Sequence, residues 1–353
     1  MPVPVPPTVR PGSYARLKAF LSAHPILCLA LLTPGIPEYL SGSSSPVGLL
    51  GSPLLFLLLL CANLGLYLAG VLLIRETRVR WQLGWASVLA LGVAYGIAEE
   101  GLALDTLFDP TAGPVSAATA FHAVGVNWGW TSQILVFHAL FSVALPLLLL
   151  ELALPAWRGR SLLTTRGIYW TAAAYLATIG IAGTLIARYM YWMGAPVFVG
   201  SLAAIGGLVL LARALPADAV RPLAGRPRES PARLFLLGLA TFPAILVVPA
   251  LLAALGLPGL GFVLIAPGIA VALLAVLVRN VGTDGAEPGV VAYTAGLIVP
   301  VAALGFLVAL RFPPGLFLVG GVDVIAFGFL WKLYRRYAPS TPGGGPRAWP
   351  MAG

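Results

Sequence analysis

Long uncharged stretches recur along the whole sequence, and the short segments between them hold most of its charged residues. Only 9% of the 353 residues are charged, whereas 59% are hydrophobic. About a quarter of the residues of a soluble domain are charged, because its surface faces water. A chain this poor in charge cannot cover a globule of its size with polar groups, so its outer surface must face lipid. The sequence therefore predicts an integral membrane protein.

A helix that crosses a bilayer needs about twenty mostly apolar residues. Ten stretches meet this requirement and predict an all-α polytopic transmembrane helix bundle of about ten spans. The fifth and sixth spans are the hardest to separate, since only a few residues around RYMYW lie between them. The predicted spans are 19–35, 53–74, 83–106, 126–150, 167–187, 192–212, 233–254, 258–278, 289–310 and 314–334.

The lysines and arginines are distributed unevenly between the two sets of connecting segments. If the N-terminus is cytoplasmic, all 21 of these residues except Arg188 and Arg311 fall in cytoplasmic segments. Cytoplasmic loops of membrane proteins carry such an excess of positive charge. We therefore expect both termini in the cytoplasm and a location in the cell membrane, with lipids as partners. The net charge of +9 is spread between apolar stretches, which argues against a nucleic-acid partner.

The connecting segments divide the chain into five parts. The longest cytoplasmic link is rich in Pro and Arg, and separates a six-span first part from a four-span second part. No small-residue cleavage site follows the first apolar stretch, so we expect it to remain as a span. The predicted parts are a cytoplasmic N-terminal segment at 1–18, the first six spans at 19–212, the link at 213–232, the last four spans at 233–334 and a disordered cytoplasmic tail at 335–353.

Ionisable side chains are unevenly distributed among the spans. They are costly to bury in a bilayer, so those that occur there are paired or functional. Arg75, Glu76 and Glu151 lie near the inner interface, where we expect salt bridges that anchor helix ends. In the last six spans, the only charged residue near the middle of the membrane is Asp323, which either pairs with another group or relays protons. A functional site is therefore expected in the first four spans and their outer loops, which contain Glu38, Glu99, Glu100, Asp105, Asp109, His122 and His138.

The third predicted span, which reads LGVAYGIAEEGLALDTLFDP, carries several polar residues on one face. On an ideal helix, Tyr95, Glu99 and Thr106 fall within an arc of about 40°. Gly92 lies close beside them and permits the near approach of another helix. Glu100 lies about 100° away from Glu99, so we do not expect it to face the same neighbour squarely.

The fourth predicted span, NWGWTSQILVFHALFSVALP, has one polar stripe on an otherwise apolar helix. Asn127, Thr131, His138 and Ser142 fall within an arc of about 60°. The third and fourth spans are consecutive and antiparallel, so they can be neighbours. Glu99 and His138 then differ in depth by roughly 7 Å, which side chains, a water or a modest tilt can bridge.

A carboxylate and an imidazole that meet in a low-dielectric pocket can exchange a proton near neutral pH. Glu99 would then activate a water, and His138 would stabilise a developing oxyanion or shuttle a proton. The alternative is a structural hydrogen bond that holds two helices together. Two adjacent glutamates are more charge than such a bond requires, so the sequence favours a functional site with Glu99, Glu100 and His138 at its centre. The candidate accessory or substrate-binding residues are Tyr95, His122, Asn127, Thr131, Ser142 and Asp323.

The Glu99–Glu100 pair within a span, followed by His138 in the context FHALFS, resembles the CPBP family of intramembrane proteases, which process CAAX proteins and bacteriocins. The resemblance covers residues 95–145. It implies that Glu99 acts as a base with help from His138, and that the substrate is a membrane-embedded or lipidated peptide. The family usually has a basic residue where Leu104 stands, and an Asn where Ser142 stands.

Three further acidic or histidine side chains cluster at the outer mouth of the predicted site. His122, Asp105 and Asp109 could bind a divalent cation together with Glu99, although no tight ligand spacing such as HExxH is present. Glu38 follows a GIP break at the end of the first span, and either lines the same vestibule or lies in interfacial water. The sequence identifies no cofactor.

Three functions remain open on these observations. The first is an intramembrane hydrolase built on Glu99 and His138. The second is a proton-coupled secondary transporter that uses the buried acids as proton carriers, a function that suits ten spans with Pro/Gly breaks. The third is a non-catalytic membrane scaffold, in which the same polar residues contribute only to stability.

Overall fold

The computed structural model is almost entirely helical. It describes residues 13–44, 52–112, 122–219, 229–256, 267–269, 271–272, 275, 287–310 and 313–337. The helices are α1 (Ser13–Ala23), α2 (Pro25–Leu40), α3 (Pro53–Trp81), α4 (Trp85–Ala103), α5 (Trp128–Ala153), α6 (Thr165–Tyr189), α7 (Ala195–Ala214), α8 (Pro231–Ala254), α9 (Glu287–Ala309) and α10 (Pro313–Tyr337). Between α4 and α5, the short strands β1 (His122–Ala123) and β2 (Val126–Asn127) pair antiparallel.

Six of the described helices, α3 to α7 and α9, are long and apolar enough to cross a membrane. The described helices overlap nine of the ten predicted spans. The eighth, 258–278, lies outside the described residues except for 267–269, 271–272 and 275. The fifth and sixth predicted spans are separate helices, because α6 ends at Tyr189 and Gly194 turns the chain with a φ of +83° before α7.

The first predicted span, 19–35, is wrong in its bounds. The chain breaks at His24, which has a φ of −124° and a ψ of 66°, so α1 and α2 are distinct helices. Pro25 is the cause, because its ring disfavours helical geometry at the preceding residue while fitting the first turn of a new helix. As a result α2 extends further than predicted, to Leu40.

Several contacts bring the ends of different helices to one end of the bundle. The Trp157 indole N–H donates to the Ser22 carbonyl at 2.8 Å, and Arg336 Nη1 donates to the Ala153 carbonyl at 2.9 Å. The Arg213 guanidinium lies 5.0 Å from the centre of the Trp81 ring. We call this the tail end, because it holds the start of α2 and the end of α10. The opposite end, with the α4–α5 connection, is the loop end.

The helices differ strongly in how deeply they are packed. In the most apolar 18-residue stretch of α5, 78% is buried within the protein, compared with 6% in α6 and 11% in α7. The helices α8 and α9 pack closely at Gly238 and Gly296, where an added Cβ would lie 2.3 Å and 2.2 Å from the partner's backbone oxygens. The protein therefore has α5 at its centre, with α6 and α7 presenting apolar faces outward.

Each of the helices α2 to α5 contains a π-helical turn. These turns span Gly35–Leu40, Leu64–Leu68, Ile97–Ala103 and His138–Ala144. Such turns are rare and occur frequently at functional sites, because the wider turn changes where the side chains point. The four π-helical turns carry Glu38, Tyr67, the Glu99–Glu100 pair and His138, respectively.

Candidate functional site

His138 lies between two carboxylates. Its Nδ1 is 3.2 Å from Glu99 Oε2, and its Nε2 is 3.0 Å from Glu100 Oε1. The predicted Glu99–His138 juxtaposition is thus present, and the two side chains are in direct contact. The prediction that Glu100 would not face the same neighbour is wrong, because both glutamates lie on a π-helical turn and not on an ideal α-helix.

The close approach of α4 and α5 depends on two glycines. A Cβ on Gly92 would lie 2.7 Å from Ala139 Cα, and a Cβ on Gly96 would lie 2.9 Å from Leu135 Cδ2 and 3.3 Å from His138 Cβ. A backbone atom such as Ala139 Cα cannot move aside as a flexible side chain can. The small residues of α4 therefore place His138 directly against the Glu99–Glu100 turn.

The three side chains are deeply buried. The exposed fraction is 1% for Glu99, 2% for His138 and 8% for Glu100. Ser142 is fully buried, and its hydroxyl lies 2.9 Å from His138 Nδ1, so this predicted accessory residue fixes one ring nitrogen. The Tyr95 ring centre lies 5.8 Å from that of His138. Charge at this position is screened little by water, which strengthens every interaction within the site.

Two buried oxygen atoms at the centre of the site lack hydrogen-bond partners among the described residues. They are Glu99 Oε2, which contacts His138 without hydrogen-bond geometry, and the Tyr95 hydroxyl, which faces Glu99 in the same way. Buried polar atoms are nearly always hydrogen-bonded, so two such atoms without hydrogen bonds point to a bound water or a polar ligand group.

Glu100 is held from the loop end. The Thr106 hydroxyl donates to Glu100 Oε2, and the Trp130 indole N–H donates to Thr106 Oγ1 at 3.1 Å. Thr106 was predicted to share a face with Glu99, but α4 ends at Ala103 and the chain turns, which brings Thr106 to Glu100. This second carboxylate is thus held in a fixed orientation.

Glu38 and Tyr67 extend the site toward α2 and α3. The Tyr67 hydroxyl donates to Glu38 Oε1, and Tyr67 also interacts with Glu99. Counted along their helices, Glu38, Tyr67, Glu99 and His138 are each about fifteen residues, or roughly 20 Å, from the tail end, so they share one height in the bundle. The sequence indicated Glu38 only as one of two alternatives, and nothing in it singled out Tyr67.

Asn127 and His122 are not part of the site. Asn127 lies in β2, where its side-chain amide donates to the Thr106 and Asp109 carbonyls at 3.0 and 2.8 Å. His122 Nδ1 lies 2.5 Å from Asn127 Oδ1. The predicted polar stripe was therefore wrong at its first residue, because α5 begins at Trp128 and Asn127 instead closes the α4–α5 connection.

The predicted cation site at the outer mouth does not form. Within the described part of the chain, no three His, Cys, Asp or Glu side chains are placed to hold a metal ion. Asp105 is only 3% exposed and adopts a φ of +60°. Its burial, and next the charge of Asp109, raise the pKa of Asp105 to about 6, and a hydrogen bond from the Met193 backbone N–H opposes this rise.

Two other predicted residues stand apart. Thr131 has a buried hydroxyl without a hydrogen-bond partner among the described residues, on α5 one turn from its start. Asp323 lies within α10, and its Oδ1 also lacks a hydrogen-bond partner in the described part of the chain. Neither side chain has a described contact with Glu99 or His138.

The predicted salt bridges of Arg75, Glu76 and Glu151 are present. Arg75 Nη1 lies 3.2 Å from Glu76 Oε1, and Arg78 Nη1 lies 2.5 Å from Glu151 Oε1. Glu76 also accepts a hydrogen bond from the Leu162 backbone N–H at 2.7 Å. These pairs tie α3 to the α5–α6 connection at the tail end and explain the acidic residues there without a functional role.

Comparison with known proteins supports the membrane location. Residues 27–313 match an uncharacterized membrane protein family. No curated protein and no solved structure matches the chain. Together with the six helices that are long and apolar enough to cross a bilayer, this match shows a multi-pass integral membrane protein. Since the match covers most of the sequence, the chain belongs to this uncharacterized membrane protein family.

Proposed function

We propose that this protein is an intramembrane peptidase in which Glu99 and His138 activate a water molecule. The observation that carries the proposal is that His138 contacts both glutamates in a buried site, with Glu99 Oε2 3.2 Å from its Nδ1 and Glu100 Oε1 3.0 Å from its Nε2. A bond that only holds two helices together needs one carboxylate, whereas this imidazole contacts two. The resemblance of Glu99, Glu100 and His138 to the catalytic residues of the CPBP family supports the same chemistry.

In this mechanism Glu99 acts as the general base. A water bound between Glu99 Oε2 and the Tyr95 hydroxyl transfers a proton to Glu99 while its oxygen attacks the scissile carbonyl. Ser142 and Glu100 engage the two ring nitrogens of His138. The positive charge of the protonated imidazole then stabilises the developing oxyanion electrostatically. Glu99 then returns the proton to the leaving amine, so no proton is gained or lost over the cycle.

The proposed substrate is a membrane-embedded or lipidated peptide. Glu99 and His138 lie about 20 Å from the tail end, a depth that falls within the hydrocarbon core of a bilayer about 30 Å thick. The outward apolar faces of α6 and α7 suit a lipid environment beside the site. A peptide that reaches this depth must carry an apolar segment or a lipid chain.

The proposal includes an orientation in the cell membrane. Ten spans with both termini in the cytoplasm would place the tail end inside and the loop end outside. The basic residues support this orientation, because Arg75, Arg78, Arg158 and Arg213 all lie at the tail end. Peptide products with a polar end would then leave toward the outside.

The test is cleavage by the purified protein in liposomes. The probes are a lipidated peptide and a transmembrane peptide, each with a fluorophore and a quencher. We expect Glu99→Gln to lower the cleavage rate by about a hundredfold or more, with an unchanged melting curve, and Asp323→Asn to leave the rate unchanged. Cleavage by the Glu99→Gln variant at the wild-type rate would refute the proposal.

A proton-coupled transporter is the second candidate, and the line of ionisable groups from Glu38 through Tyr67 to Glu99 favours it. Transport would need both Glu99 and Asp323 as proton carriers. Proton flux into the liposomes that is driven by a substrate gradient, and is lost in both the Glu99→Gln and the Asp323→Asn variants, would support transport over proteolysis.

A further inference from the structure

Four ionisable side chains from α2, α3 and α4 form a continuous line. It runs from Glu38 through Tyr67 and Tyr95 to Glu99. Tyr67 and Tyr95 are 3% exposed and Glu99 is 1% exposed, whereas Glu38 is only partly buried. We propose that Glu38 and Tyr67 form a proton relay that connects the buried Glu99–His138 pair with the loop end of the protein.

The first step of the relay is the bond between Tyr67 and Glu38. The Tyr67 hydroxyl donates to Glu38 Oε1, and the Ser44 hydroxyl donates to Glu38 Oε2 at 2.5 Å. Both oxygens of this carboxylate are therefore engaged, one toward the buried site and one toward the loop end. A carboxylate with this placement can take a proton from Tyr67 and release it on the other side.

The second step leads from Tyr67 to the buried pair. The Tyr67 and Tyr95 ring centres are 6.2 Å apart, and both side chains interact electrostatically with Glu99. The position of Tyr95 is fixed from α3, because a Cβ on Gly70 would lie 2.6 Å from Tyr95 Cε2. Tyr67 is thus hydrogen-bonded to Glu38 and interacts electrostatically with Glu99, so it connects a partly exposed acid with a buried one.

The other hydrogen bonds around His138 lead to no further ionisable side chain among the described residues. Thr106 connects Glu100 to Trp130, but an indole N–H only donates and cannot pass a proton on. Ser142 bonds His138 Nδ1 and is fully buried. Within the described residues, the Glu38 branch is therefore the one that leads from the site to a partly exposed ionisable group.

Charges near Glu38 come from several helices. Glu38 interacts electrostatically with Tyr67 of α3, Tyr95 of α4 and His138 of α5. The helices α9 and α10 also pack against the end of α2, and the ionisable side chains of their central parts are Tyr293 and Asp323. Tyr293 lies 3.3 Å from the Thr241 hydroxyl.

The proton transfer conserves charge and needs no tyrosinate. As Glu99 gives its proton to the Tyr67 oxygen, the hydroxyl proton of Tyr67 passes to Glu38 Oε1. Glu38 then passes this proton, on the side of Ser44, to water that enters from the loop end, and the reverse sequence reloads Glu99. In the proposed peptidase, on which this consequence rests, the relay resets Glu99 whenever it is left in the wrong protonation state.

The relay can be tested without any substrate. After a rapid change of pH, the protonation of Glu99 is followed by the infrared carbonyl band that the Glu99→Gln variant lacks. We expect Glu38→Gln and Tyr67→Phe each to slow this change by about tenfold or more. We expect the double variant to be no slower than Glu38→Gln alone, because the two groups act in series.

Tyr39→Phe is the matched control. Tyr39 follows Glu38 in the same helix, and its hydroxyl accepts a hydrogen bond from Asn63 Nδ2 at 3.1 Å. We expect this variant to have the wild-type rate. The relay is overturned if Glu38→Gln and Tyr67→Phe keep the wild-type rate, if Tyr39→Phe slows it equally, or if Glu99 does not titrate. Since cleavage is not measured, failure of the peptidase proposal would leave this result intact.

Discussion

At the scale of single residues, the protein concentrates its polar chemistry in one buried contact. His138 stands between Glu99 and Glu100, at 3.2 and 3.0 Å, with almost no exposure to solvent. Two carboxylates that share one imidazole can be stable in such surroundings only while the total charge remains balanced. The site should therefore respond sharply to removal of the histidine.

Replacement of His138 by Phe should destabilise the protein more than a typical substitution. The change leaves two buried carboxylates without their partner, and the loss of one member of a buried pair costs about 3–5 kcal/mol. Thermal unfolding in detergent measures the effect. In a Glu99→Gln/Glu100→Gln background, the same replacement should cost much less. An equal cost in both backgrounds would mean that packing, and not charge, is what His138 supplies.

Asp105 should make stability depend on pH. Burial and the charge of Asp109 raise its pKa from 3.8 to about 6 in the folded protein. The folded state therefore binds this proton more tightly than the unfolded state, so stability falls as the pH rises from about 4 to about 6. The difference of two units corresponds to at most about 3 kcal/mol.

The Asp105→Asn variant tests this dependence. An amide does not titrate, so the variant should be more stable than the wild type at neutral pH and should lose the decline in melting temperature between about pH 4 and about pH 6. Asp109→Asn should lower the pKa of Asp105 and weaken the decline. A decline of unchanged size in Asp105→Asn would assign it to another group.

At the scale of the helices, the π-helical turns decide which side chains meet. Each of α2, α3, α4 and α5 has one, and each turn contributes a polar side chain at the same height. The turns can lie this close because small residues remove the side-chain layer between α4 and α5. Helix packing and site geometry are therefore parts of one arrangement.

Gly92 and Gly180 offer a direct comparison of this packing. A Cβ on Gly92 would lie 2.7 Å from the Ala139 backbone, whereas Gly180 on α6 has nothing within 4 Å. We expect Gly92→Ala to separate α4 from α5, with a loss of stability of about 1–3 kcal/mol and a strong loss of activity. Gly180→Ala should be neutral or slightly stabilising. Similar melting temperatures for both variants would contradict the close packing.

At the scale of the whole molecule, the contacts at the tail end distinguish the two ends of the helix bundle. Trp157 and Ser22 meet there, as do Arg336 and Ala153. The predicted orientation places this end in the cytoplasm.

Two single cysteines, introduced after replacement of Cys28 and Cys61, test the orientation. We expect Thr111→Cys at the loop end to react with a membrane-impermeant maleimide in intact cells. Ser161→Cys, at the tail end, should react only after the membrane is permeabilised. Labelling of the two in the opposite order would invert the proposed topology, and labelling of both in intact cells would contradict it.

The sequence indicated the Glu99–His138 contact because an ideal helical period was sufficient for that pair. The same helical period gave the wrong direction for the Glu100 side chain, because a π-helical turn brings it to His138. It also failed for Asn127, since the stripe was extended past the true start of α5. The part that Tyr67 plays in the site could not be predicted from the sequence, because it depends on a hydrogen bond to a residue 29 positions away.

The sequence by itself determined the membrane location, most helix positions and the part of the chain that holds the buried charges. These properties follow from apolar length and the cost of burying charge, which are local quantities. Only the tertiary structure decided that His138 touches both glutamates and that Glu38 and Tyr67 reach them. Those contacts depend on the angles at which π-helical turns present side chains and on how closely glycines let helices approach, and neither is encoded in a local pattern.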